Sequence, residues 1–166
     1  MKVLLFTAHD HDPLCFAIKA ATRAGYTHAA FGGVNPDKPL EIAEAFYPEI
    51  RRRELSASEL PGIDVFDVAG ITPEQEAKVL AFIDTAIAHH EKYSIANLFR
   101  FLAPVRALIG EARDDGTGRD PVFCSQFVFD ALLSAGIRLL NAHSYEVAPA
   151  QLAWSPFLLK GASLIA

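Results

Sequence analysis

Apolar and polar positions along this chain alternate with two periods, and the changes of period mark out its elements. Lys2 to Thr7, around Val3-Leu4-Leu5-Phe6, is a short β-type run. Asp12-Pro13 then supplies a side-chain acceptor for an N-cap and a proline suited to the first helical position. That helix is expected to run to about Ala24, with Leu14, Ile18 and Ala21 on one face, and to stop at Gly25. A strand is expected over 26–31, with Tyr26, His28 and Ala30 on one face and Thr27, Ala29 and Phe31 on the other. Gly32-Gly33 and Asn35-Pro36-Asp37-Lys38-Pro39 end it, and residues 40–47 return as its antiparallel neighbour. A further strand follows Pro61-Gly62 over 63–68.

The second half is mainly helical. Thr72-Pro73-Glu74-Gln75 is a capping box with proline at the first position, opening a helix through Leu80, Ile83 and Ile87 to His90 or beyond. Ser94 caps a second apolar stretch through Leu98, Phe101 and Leu102, disturbed at Pro104 and finished by Gly110. Residues 111–120 are polar and read as the most mobile loop. A helix beginning near Cys124 stops at Gly136, and the remainder is irregular with a last strand expected within 158–165. Strands and helices are segregated, so the fold class is α+β, a mostly antiparallel sheet covered by helices, in one domain over 1–166.

Composition narrows the function. With 51% hydrophobic residues in 166, the chain supports a core without staples. A net charge of −5 argues against a nucleic-acid partner. The cationic run Arg51-Arg52-Arg53 is followed at once by Glu54 and reads as a solvated strand end or loop. Two cysteines do not make a disulfide framework and fit a reducing compartment. Residues 3–6 are too short for a signal-peptide core, and no window approaches the ~20 apolar residues of a membrane span, so a cytoplasmic location is expected.

The candidate chemistry centres on Cys124. In Phe123-Cys124-Ser125-Gln126 the cysteine falls at a helix opening, where unpaired N–H groups and the positive end of the helix dipole favour thiolate. Cys15, between Leu14 and Phe16 inside a helix, reads as core packing. A thiol nucleophile needs an imidazole as base, and His28 is the candidate. A third group should orient that ring. Glu44 shares an apolar stripe with Leu40, Ile42 and Phe46 and needs a partner there, for which the His28 strand is the obvious source. Glu41 sits beside the turn and reads as solvated, though it and other polar groups stay open as the third member. The backbone N–H of Cys124 is a candidate oxyanion donor, with the N-terminal loop or Tyr26 as a second. His9, Asp10, His11 and Asp12 alternate in direction on an extended chain, and His89-His90 lack one-face ligand spacing, so no metal is expected. No phosphate loop or dinucleotide fingerprint is present, and no cofactor is expected.

Tyr26-Thr27-His28, Ile42-Ala43-Glu44-Ala45 and Phe123-Cys124-Ser125-Gln126, in this order, resemble the landmarks of the permuted NlpC/P60 papain-like cysteine hydrolases, specifically the YiiX/YebB-like group. That group carries Ser/Thr-His on an early strand, Glu-Ala on the next and a late Cys-Ser-Glu at a helix start. Val147-Ala148-Pro149-Ala150-Gln151-Leu152 is similar to its Pro-x-x-Leu element, whereas Gln126 departs from the usual glutamate. The resemblance implies a papain-like fold and a thiol hydrolase with Cys124 as nucleophile, His28 as base and Glu44 as orienting partner. It implies a peptide or acylated small-molecule substrate, cell-wall peptides or lipid-linked amides and esters among them. A thiol acyltransferase, or a binding domain that kept the shape, are the rival expectations. Oligomeric state is left open.

Overall fold

The computed structural model describes residues 1–7, 25–94, 122–161 and 164. Among these residues one sheet holds six strands: β1 (Lys2–Thr7), β2 (Tyr26–Gly32), β3 (Glu41–Phe46), β4 (Glu49–Glu54), β5 (Ile63–Val68) and β6 (Leu158–Lys160). Their spatial order is β4-β3-β2-β1-β5-β6, and every neighbouring pair is antiparallel. Three α-helices accompany it: α1 (Pro73–Ala88), α2 (Cys124–Ser134) and the short α3 (Pro149–Leu152). The fold is therefore α+β, as the segregation of periods predicts.

β1 lies between β2 and β5, and Val3, Leu4, Leu5 and Phe6 are all buried because each face of this central strand meets a core. On the helix side, Val3, Leu5, Ala29, Phe31, Ala43 and Ala45 pack with Phe127, Val128 and Leu132 of α2 and with Val79 and Ile83 of α1. The Phe31 and Phe127 rings meet edge to face at 5.8 Å between centroids. On the opposite side a smaller cluster joins Leu4, Phe6, Ala30, Ile42, Leu55, Val65 and Leu164.

Local signals set the helix ends. Gln75 N–H donates to Thr72 Oγ1 at 3.2 Å and Thr72 N–H donates to Gln75 Oε1 at 3.0 Å, closing the capping box of α1. α2 is stopped at Gly136, whose φ of 83° is open to glycine, and Ile137 N–H returns to the Leu132 carbonyl.

Several expectations need correcting. Of the two readings of residues 51–53, strand end or loop, the strand holds: they lie in β4, paired residue by residue with β3 from Glu41↔Glu54 to Phe46↔Glu49. Tyr26 does not share the His28 face. The β1–β2 register shifts between Phe6↔His28 and Thr7↔Tyr26, and this irregularity turns Tyr26 to the helix side, edge-on to Phe66. α1 ends at Ala88 rather than His90 and the chain from Pro149 to Leu152 forms α3, while β6 at Leu158–Lys160 falls within the range expected for a last strand. The helices expected over 13–24 and from Ser94, the polar loop 111–120, Cys15, and the His9-Asp10-His11-Asp12 cluster lie outside the described residues.

Candidate active site

Three residues from separate parts of the chain converge where β2, β3 and the start of α2 meet. The β2–β3 ladder is short, pairing Phe31 with Ala43 and Gly32 with Ile42. His28 and Glu44 lie beyond it, on the face they share with Phe6, Ala30 and Ile42. There His28 Nε2 meets Glu44 Oε2 at 2.9 Å. Phe6 and Phe46 flank the imidazole, with ring centroids 5.1 and 5.8 Å from it, so an apolar wall confines its orientation.

Cys124 is the first residue of α2, after the extended Phe123, and its sulfur is within hydrogen-bonding reach of the His28 ring. Nε2 is taken by Glu44, which leaves Nδ1 as the nitrogen for the thiol. The sulfur is a free thiol and is fully buried, whereas the His28 side chain keeps 14% of its surface. First-turn amides of a helix have no intrahelical acceptor, so α2 itself leaves the Cys124 N–H unbonded, with the polarity an anion needs. The next residue anchors the helix start: Ser125 Oγ donates to the Val147 carbonyl at 2.6 Å inside the core.

The electrostatics follow from burial and pairing. Burial weighs against a charged His28 ring, yet the Cys124 sulfur and the Glu44 carboxylate outweigh it and raise the imidazolium's pKa to about 9. For Glu44, burial favours the neutral acid, but His28 and Arg53 prevail and hold its pKa at about 2. Its Oε1 accepts from Arg51 Nε at 3.0 Å, Arg51 Nη2 at 2.9 Å and Arg53 Nε at 2.8 Å. Arg51 and Arg53 are thus bound to the site, a part of it that the sequence reading missed, whereas Arg52 pairs elsewhere. The available signal was the i, i+2 spacing of Arg51 and Arg53, which puts both on one face of a strand.

The other candidates fall elsewhere. Glu41 is not solvated: Arg52 Nη1 reaches it at 3.2 Å and Asn35 Nδ2 at 3.4 Å, away from His28. The Tyr26 hydroxyl donates to Asp64 on the helix side, and burial with this carboxylate pushes its phenol up to about 12. It is committed there and does not serve an oxyanion beside Cys124. His90 faces Glu49 at 3.4 Å on the surface.

No family model matches the chain, and no curated protein matches it in sequence. Among solved structures it is similar to the metalloprotein YiiX from Escherichia coli O157:H7, at 16% identity and a TM-score of 0.69, over 98% of this chain and 95% of that one. The likeness establishes a YiiX-like fold. Among the described residues there is no group of three or more His, Cys, Asp and Glu side chains able to hold a metal, and His9, Asp10, His11 and Asp12 lie outside them. Glu44, the carboxylate paired with His28, already accepts from two arginines and the imidazole. Among the described residues no helix is long and apolar enough to cross a membrane.

Proposed function

We propose that the chain is a single thiol-hydrolase domain of the permuted NlpC/P60, papain-like kind, cleaving an amide or ester bond through a thioester on Cys124. The observation that carries this reading is that one half-buried imidazole, His28, serves two partners, the Cys124 sulfur and the Glu44 carboxylate at 2.9 Å. A packing histidine needs neither a thiol nor an ionised acid, and a thiol nucleophile needs both a base and something to orient it.

In the reaction so read, the Cys124 thiolate attacks the carbonyl carbon and the resulting oxyanion is met by the Cys124 backbone N–H at the helix start. His28 gives its Nδ1 proton to the departing amine or alcohol, leaving an S-acyl thioester. The neutral ring then takes a proton from water, hydroxide adds to the thioester, and collapse of the adduct releases the carboxylic acid and restores the Cys124 thiolate beside the imidazolium. Glu44 accepts the Nε2–H throughout and keeps the ring turned toward sulfur. Peptide-like amides, including cell-wall peptides, and lipid-linked acyl groups are the substrate classes that the sequence resemblance supplies.

The test is covalent trapping. Incubation with a panel of activated peptide esters and acyl esters, quenched in acid, should add one acyl mass that maps to Cys124 and is removed by hydroxylamine. Cys124→Ser should lose the adduct's hydroxylamine sensitivity, and Cys15→Ala should keep it. Transfer of the trapped acyl group to an added amine faster than to water would assign a transferase instead. An acyl group found on Cys15, or equally on both thiols, contradicts the proposal.

A further inference from the structure

We infer that Arg51 and Arg53, with Glu59 behind them, are positioning residues that lock Glu44 as an acceptor and thereby fix which nitrogen of His28 faces the thiol. This rests on the catalytic reading above and adds the parts of β4 and the following turn that it leaves unused.

The argument begins with donors and acceptors. Arginine has only N–H groups to offer, and three of them converge on Glu44 Oε1 at 2.8 to 3.0 Å. A proton on Oε1 would face donors alone, so that oxygen stays unprotonated. The other oxygen, Oε2, is left for His28 Nε2. A carboxylate there can only accept, so Nε2 carries hydrogen in every state of the ring, and Nδ1 is the nitrogen that trades a proton with Cys124.

The clamp is itself anchored. Arg53 Nη2 pairs with Glu59 Oε1 at 2.8 Å and its Nη1 donates to Glu59 Oε2 at 3.1 Å. Glu59 also accepts from Ser56 N–H at 2.9 Å and from Ser56 Oγ at 2.8 Å. Arg51 lies over the Phe46 ring at 4.6 Å, the ring that also flanks His28. Among the described residues the charged groups in this line are Glu44 and Glu59 on the acidic side and His28, Arg51 and Arg53 on the basic side, with the Cys124 thiol beyond the ring. Among the described residues, the aromatic side chains against the ring, Phe6 and Phe46, carry no charge.

Arg52 is an internal control. It lies on the same strand but pairs with Glu41 at 3.2 Å and Asp84 at 2.6 Å, not with Glu44.

The experiment is an NMR titration of the His28 imidazole nitrogens in the full chain. Arg53→Gln and Arg51→Gln each leave excess negative charge beside the ring and should move its midpoint up by roughly half a unit or more. Glu59→Gln should move it down. Arg53→Lys should return it toward wild type, and Arg52→Gln should leave it unmoved. Arg51 is half-exposed, so its variant carries the test if Arg53→Gln does not fold. A wild-type midpoint near 9 that none of these changes moves overturns this inference alone. A wild-type midpoint at the ordinary ~6.5 overturns the catalytic reading together with it.

Discussion

His28 and Glu44 are 16 residues apart and meet at 2.9 Å because of strand register. Phe31 pairs with Ala43 and Gly32 with Ile42, so the same register carried back along β2 puts Phe46 across from His28 and Glu44 on its diagonal. The edge-to-face contact of His28 with Phe46 agrees with this. A slip of one residue would turn Glu44 into the helix-side core and leave the imidazole without its carboxylate. The site therefore depends on the turn between β2 and β3 as much as on the residues that make the contacts.

Glu44 makes stability depend on acid in a defined window. Its pKa is held at about 2, below the ordinary 4.5, so ionisation favours the folded state above 4.5 and that contribution is lost as pH falls through about 2. The difference corresponds to about 3 kcal/mol at neutral pH. Glu44→Gln should lower stability at pH 7 by about 3 kcal/mol or more, because two arginines lose a buried partner. It should also flatten the loss of stability between pH 4.5 and 2, leaving the share due to Glu59, whose pKa Arg53 holds at about 2. Urea denaturation of both proteins at pH 7 and pH 3 checks this; a Glu44→Gln difference between the two pH values as large as the wild type's would contradict it.

Thr27, next to His28, presents the opposite case. Its hydroxyl is buried and has no hydrogen-bond partner among the described residues, and the residue is 2% exposed. A buried unpaired hydroxyl costs on the order of 1 kcal/mol. Thr27→Val keeps the shape and should raise Tm by about 2–4 °C. A lower Tm would mean that the hydroxyl has a partner in solution.

The fold was legible where one signal dominated. The capping box of α1 and the glycine after α2 predict their own ends, because each satisfies backbone groups locally. Glu44 stood out as an acid on an apolar stripe, and Cys124 as a thiol at a helix opening. β4 was not legible, since Ile50 is its only apolar residue and its arginines are neutralised by carboxylates elsewhere in the chain. Alternation failed for Tyr26 because a register shift in the β1–β2 ladder reverses its face, and nothing in the residues themselves announces it. Glu41 read as solvated because its partners, Arg52 and Asn35, come from two other segments.

The central claim is that His28 acts on the Cys124 thiol. The most direct measurement is the second-order rate of iodoacetamide alkylation at Cys124, at pH 7, in wild type and His28→Ala, with the site of modification read by mass spectrometry. The account predicts that loss of the imidazole slows Cys124 at least tenfold while both proteins keep the same fold by circular dichroism. Equal rates at Cys124 in the two folded proteins would contradict it.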